Sequence, residues 1–248
     1  MAILHLLGTG AALSTASRTT TMLAVESGES IIVVDCGGDV IHRLLQAGLD
    51  PNRIDALILT HEHPDHVSGF PLFMEKIWLA KRDRPIHVCG PRAALDQAER
   101  VFSAFDTSGW KGLPEVVWKE VALSPDARVW ENGPWKITAA PGEHSVPVIG
   151  IRVEETETGS VLAYSSDTER SDEIARLADA AEILVHEATG GFSGHTSMQD
   201  AAHVARQAGA GRLVLVHLPA EIDQGDLDEA RQSFPALELG EDGASYEF

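Results

Sequence analysis

The sequence predicts an α/β fold in which two β-rich layers share one core. Short β-branched or apolar runs end repeatedly in small and polar residues, as strands do. Helical segments fall between them in both halves, one with a capping-box start at Ser197 and Asp200 and a stop at Gly209. No linker, low-complexity tract or short repeat divides the 248 residues, so a single domain over 1–248 is expected.

In chain order, strands are expected at 2–7, 21–26, 30–35 and 55–60. A helix should follow at about 66–82, then the strand "IHVCG" and a helix from about 92 to 105. The second half offers "WKITAAP", "VIGIRVEE", "SVLAYSS", "AEILVHE" and "RLVLVH" as strands. The segments "SDEIARLAD", "SMQDAAHVARQAG" and "DLDEARQSF" read as its helices.

Composition narrows the function. With 38 acidic against 19 basic residues the net charge is −19, a surface that repels polyanions. The one dense basic stretch, "EKIWLAKRDR" (75–84), reads as the solvated face of a helix, so a large nucleic acid is not expected as a partner. Cations held in a cleft would reverse the potential there. Two cysteines, Cys36 and Cys89, make no disulfide framework and suit a reducing compartment. The start "MAILHLLGTGAALS" lacks a basic leader and its apolar run breaks at Gly8. No apolar stretch reaches membrane-spanning length, so a cytoplasmic location is expected.

The chemistry is concentrated at strand ends. "ALILT" runs into "HEHPDH", which places His61, His63, Asp65 and His66 within six positions. "KITAAPGE" runs into His144, "VLAYSS" into Asp167 and "RLVLV" into His217. Strand ends converge in open α/β architectures, so five imidazoles and two carboxylates can meet in space. Seven such ligands are too many for one tetrahedral zinc and suit two divalent ions, zinc first, with manganese or iron also compatible. A loop leaving a strand lets His61 and His63 share one ion while Asp65 and His66 turn toward a second. Such a pair activates water for hydrolysis. His5, His42, His87 and His203 lack this context and read as structural or exposed. "GTGAA" (8–12) begins like a dinucleotide fingerprint, but Leu13 stands where its third glycine belongs; a tight loop with its amides facing the cleft is expected instead.

These residues resemble the signature of the metallo-β-lactamase superfamily. The matching segments "LLGTGAAL", "VVDCGG", "THEHPDH", "GEHSVPVIGIRV", "YSSDT", "HEAT", "GHTSMQDAA" and "LVLVHL" are similar to its ribonuclease Z-like branch and related small phosphodiesterases. The resemblance implies a four-layer αββα sandwich with the site at one edge between the sheets. It also implies His61, His63 and His144 on one metal, Asp65, His66 and His217 on the other, and Asp167 bridging them. By the same resemblance Asp35 supports the ligand loop, as acceptors behind metal-bound imidazoles do. His195 in "GHTS" then assists catalysis without binding metal, and Glu187 in "HEAT" orients it. A nearby carboxylate would favour imidazolium at His195 and the helix starting near Ser197 would disfavour it. His186, on the opposite face of its strand, reads as structure.

Substrate is where the chain departs from that branch. Ribonuclease Z carries a long arm between the third ligand segment and the bridging aspartate. Here only residues 145–166, 22 in all, intervene, and they read as two strands with a turn. "LPAEID" also replaces the usual polar continuation after His217. The expected substrate is therefore a small phosphodiester, a cyclic nucleotide or cyclic sugar phosphate, on which Trp110 could stack from a loop, although such tryptophans more often pack. The alternatives are a ribonuclease Z-type tRNA 3′-end endonuclease, a lactone or thioester hydrolase, and a metal-dependent nucleotide sensor without turnover. A homodimer is left open.

Overall fold

A computed structural model describes Met1–Phe248. The first sheet is built from β1 (Ile3–Gly8), β2 (Met22–Ser27), β3 (Ser30–Val34), β4 (Ile54–Ile58), β5 (Ile86–Gly90) and β6 (Val116–Glu120). The second holds β7 (Ala127–Asn132), β8 (Trp135–Pro141), β9 (Ile149–Glu155), β10 (Val161–Tyr164), β11 (Ile183–Glu187), β12 (Arg212–Val216) and β13 (Leu237–Leu239). A last strand, β14 (Ser245–Glu247), returns to the first sheet beside β1.

Apolar side chains form three separate layers. One lies between the sheets, where Leu4, Val34 and Ile58 meet Trp135, Ile151 and Val216. The second joins the first sheet to α1 (Val40–Gln46), α3 (Phe70–Leu79) and α4 (Arg92–Ser103), with α2 (Pro64–Val67) a single turn between α1 and α3. The third joins the second sheet to α5 (Asp172–Leu177), α6 (Met198–Ala208) and α7 (Gln224–Ser233). Three interfaces mean four layers, an αββα sandwich. Within it β3 to β6 run parallel, as do β10 to β13. Their central strands are covered on both faces, which is why "SIIVV" and "RLVLV" read as continuous apolar runs.

The expected helix over 66–82 is instead two helices. Gly69 stands at the break: its N–H donates to the Cys36 carbonyl, and a Cβ there would sit 2.0 Å from the Gly38 oxygen. That close approach pulls the chain inward and ends α2 after one turn. The expected hairpin holds, since β9 and β10 pair antiparallel around the 156–160 turn and occupy the interval where an arm would emerge. Trp110 packs face to face on Trp78, with centroids 4.7 Å apart, and edge-on to Phe102, so it is a packing residue and not a free stacking surface.

The basic stretch is not a solvated helix face throughout. Arg82 donates to the carbonyls of Arg84, Asn52 and Pro85, and Arg84 to Asp55 and to the carbonyls of Asn52 and Ile54. Both guanidinium groups tie the segment between α3 and β5 to the start of β4. Cys36 and Cys89 are free and buried, and no helix is long and apolar enough to cross a membrane.

Candidate metal centre

Three strand ends turn through left-handed backbone at non-glycine residues: Asp35 after β3 (φ 61°), Ser166 after β10 (φ 54°) and His217 after β12 (φ 51°). Such conformations cost free energy and persist where surrounding structure enforces them. Here each sharp turn belongs to a residue of the cleft or its immediate neighbour. Gly37 supplies the remaining space, because a Cβ on it would lie 1.6 Å from the Asp65 carbonyl oxygen. We expect Gly37→Ala to destabilise the fold by about 3 kcal/mol through overpacking. An unchanged denaturant midpoint would count against this role.

The structure brings together all seven candidate ligands expected from the sequence. His63 Nδ1 lies 3.2 Å from His61 Nε2 and 3.1 Å from His144 Nε2. Asp65 Oδ2 lies 3.5 Å from His66 Nε2 and 3.3 Å from His217 Nε2. Asp167 Oδ2 stands between these groups, 3.8 Å from His61, 3.6 Å from His66 and 3.4 Å from His217. Donors bound to one ion at 2.0–2.1 Å would be spaced about 3.0–3.4 Å apart, so the arrangement has metal-site dimensions.

The donors' outer partners decide what faces inward. His66 Nδ1 donates to Asp35 Oδ2 at 2.8 Å, and His144 Nδ1 to the Gly194 carbonyl at 2.7 Å. His61 Nδ1 faces the Thr60 hydroxyl, whose own proton goes to Asp35 Oδ2. His217 Nδ1 faces the Thr189 hydroxyl, whose proton goes to the His217 carbonyl. These outer partners favour the tautomer of each of the four rings that carries its proton on Nδ1 and turns the Nε2 lone pair into the cluster. Lone pairs thus face carboxylate oxygens, and His66 Nε2 and Asp167 Oδ1 are buried without a hydrogen-bond partner. Only positive charge between them makes this arrangement favourable.

No lysine or arginine supplies that charge. Asp35, Asp65, Asp167 and Glu187 form ion pairs with histidines alone. Burial pushes His61 well below the usual imidazole range and His63 in the same direction, which keeps both neutral and ready to ligate. His66 shifts the other way: burial opposes protonation, but Asp167 and Asp35 raise it well above the ordinary value. Asp167 is correspondingly held well below the carboxylate range by His217 and His66, against the effect of its burial. The opposed shifts of His66 and Asp167 mark the space between them as one that favours positive charge.

Asp35 accepts from the Thr60 amide, the Thr60 hydroxyl and His66 Nδ1, each at 2.8 Å, matching its expected supporting role. We expect Asp35→Ala to weaken metal binding about 10–100-fold, read by competition with a chromogenic chelator. Unchanged affinity would remove Asp35 from the support.

His195 and Glu187 meet at the edge of the cluster. His195 Nδ1 donates to Glu187 Oε1 at 3.0 Å, and its ring lies 5.1 Å from that of His144 and 5.7 Å from that of His217. Glu187 is fully buried and also accepts from the amides of Thr168, Thr189 and Thr196, so it both organises its loops and holds the imidazole. Burial lowers the His195 pKa, but the Glu187 hydrogen bond and charge outweigh it and the net shift is upward. His186 points away, with Nδ1 on the Glu187 carbonyl. His5 and His203 pair with Glu26 and Arg206, His87 packs on the Trp130 ring and His42 is exposed, all outside the cluster. The expected amide face of the 8–12 loop is largely absent: the Gly10 and Ala11 amides donate to the carbonyls of Thr19 and Leu218.

Sequence reasoning missed Thr60, Thr189, the Gly194 carbonyl and Gly37. The two threonines stand inside recognisable motifs, but a hydroxyl's direction has no sequence signal, and a backbone carbonyl has none at all.

Residues 31–218 match the Beta-lactamase superfamily domain. The chain is 27% identical to the ribonuclease Z of Bacillus licheniformis over 293 aligned residues, 92% of this chain and 93% of that protein. That alignment is longer than this chain, so the relative has segments with no counterpart here. Two solved structures share the fold over 100% of the chain. The metallo-beta-lactamase fold protein YhfI from Bacillus subtilis superposes with a TM-score of 0.84 at 23% identity, over 99% of its own length. A diphosphatase from the PhnP family superposes at 0.79 and 18% identity, over 98% of its length.

Proposed function

The chain belongs to the metallo-β-lactamase superfamily as a ribonuclease Z-like, metal-dependent hydrolase, and from that premise we propose a dinuclear phosphodiesterase acting on a small phosphodiester. The observation that carries this reading is the set of four imidazole lone pairs, fixed by outer hydrogen bonds, converging on two shared carboxylates. We assign His61, His63 and His144 to one divalent ion, Asp65, His66 and His217 to a second, and Asp167 to both. Zinc suits these donors best, and manganese or iron also fit them. When bound, the ions supply Lewis acidity for phosphoryl oxygens and a lowered pKa for the attacking water.

The chain's own groups handle the protons. Asp65, more open than Asp167 at 13% against 3% side-chain exposure, accepts the proton of the attacking water. As the new P–O bond forms and the bond to the leaving group breaks, His195 gives its Nε2 proton to the departing alkoxide. Glu187 holds that imidazolium in place through Nδ1. A positioned acid of this kind helps alkoxide departure more than it would help acyl transfer from a thioester, whose thiolate is a good leaving group.

Substrate size follows from charge and topology. A surface of −19 disfavours a long polyanion, and the β9–β10 hairpin leaves no arm to hold one. The free buried thiols support work in a reducing cytoplasm by one domain spanning 1–248. A second reading, tRNA 3′-end cleavage, is favoured by the ribonuclease Z relatives, which match nearly the whole chain. Metal-replete protein assayed side by side on bis(p-nitrophenyl) phosphate, cyclic nucleotides, precursor tRNA and a lactone panel separates the readings. We expect the highest kcat/KM on a small phosphodiester. Faster cleavage of precursor tRNA would replace this reading with the second, and intact recovery of every compound would leave a nucleotide sensor.

A further inference from the structure

We propose that Phe192 is a platform for the planar base of a nucleotide substrate, which narrows the phosphodiester class and rests on the phosphodiesterase reading above. Phe192 is 57% exposed, yet its ring lies 5.0 Å from that of His195, the group placed to protonate the leaving alkoxide. His195 in turn separates it from His144 and His217. The apolar ring therefore stands at the exposed edge of the centre, against the imidazole assigned to the leaving group.

The loop that presents it is tied down. Within "TGGFSGHT" the Gly190 amide donates to the Thr196 carbonyl, the Phe192 amide to the Gly190 carbonyl and the His195 amide to the Phe192 carbonyl. Glu169 Oε1 accepts from the Gly194 amide at 2.8 Å and from the Ser193 hydroxyl at 3.2 Å. Gly190 has φ +150°, and a Cβ there would meet Phe192 Cε1 at 2.9 Å, so a glycine is needed for the ring to lie where it does.

A restrained loop that holds a phenyl group in water gains apolar contact only when something flat covers it, and little ordering entropy is then lost. Stacking on such a ring is also insensitive to net charge, which suits a protein whose overall potential repels phosphate. A heteroaromatic base attached to the phosphodiester fits both conditions.

The test measures binding of adenosine monophosphate and ribose 5-phosphate, which differ by the base, to metal-loaded wild type, Phe192→Ala and Phe192→Tyr. One stacked base corresponds to roughly tenfold in affinity. We expect wild type to prefer adenosine monophosphate about tenfold, Phe192→Ala to erase that preference with metal content retained, and Phe192→Tyr to restore it. A wild type without preference, a preference that survives in Phe192→Ala, or an equal loss for both compounds would overturn the assignment. Turnover of bis(p-nitrophenyl) phosphate by wild type separates the two levels. Turnover without base preference removes Phe192 alone, whereas no turnover removes the phosphodiesterase reading and this inference with it.

Discussion

Removing divalent ions with a chelator is expected to abolish hydrolysis and lower the melting temperature, both recovering when ions are restored to two per chain. Four carboxylates, Asp35, Asp65, Asp167 and Glu187, converge without a lysine or arginine among them. Uncompensated buried charge is expensive, so the ion-free centre relies on protonated histidine, chiefly His66 beside Asp35 and Asp167. Ions at a hundredfold excess over their Kd would stabilise the fold by about 2.7 kcal/mol, and by more if binding is tighter. Metal entry must also expel the His66 proton, so calorimetry in buffers of different ionisation enthalpy should report proton release. Acid works in reverse: metal content should fall as pH drops below about 6.5, where free imidazole protonates. Saturation at a single ion, or metal content unaffected by mild acid, would defeat the dinuclear reading.

The second large effect concerns His195. Replacing it with alanine should lower kcat by about 10²–10⁴-fold, the range of a positioned acid, while metal content stays at the wild-type level. The loss should be smaller on bis(p-nitrophenyl) phosphate than on a cyclic nucleotide, because p-nitrophenolate leaves without a proton and an alkoxide does not. A merely structural role would depress both substrates alike. The pH profile supplies an independent check. Burial lowers the His195 pKa, the hydrogen bond and charge of Glu187 oppose it, and the net direction is upward. The acid form is thus complete below the ordinary imidazole value and is lost as pH rises through the raised one, giving a falling alkaline limb. Glu187→Gln removes the charge and should move that limb to lower pH. A limb that stays in place would show that Glu187 does not tune His195.

The legibility of this protein from sequence follows the range of the interactions involved. His61, His63, Asp65 and His66 were readable because one short loop after one strand presents them, and local spacing is visible in a string of letters. His144, Asp167 and His217 were readable as strand-end residues, since an apolar run stopping at a polar ligand is also a local pattern. The central strands were legible because burial on both faces demands unbroken apolar runs, as in "SIIVV" and "RLVLV". Edge elements were not: β6 is half exposed, β13 and β14 have three residues each, and neither situation imposes a strong pattern.

Sequence by itself therefore determined the layered class and the candidate donors at the strand ends, and its family resemblance pointed to Asp35 behind them. The tertiary structure alone decided which donor atoms face inward, since that depends on the Thr189 hydroxyl, the Gly194 carbonyl and other partners distant along the chain. It alone revealed that Gly37 makes room for the Asp65 backbone, that Gly69 breaks a helix, and that Trp110 is committed to Trp78. The physical reason is common to all of these. A residue type sets what a side chain can donate, accept or exclude, whereas the direction in which it does so is set by neighbours that only the folded chain brings near.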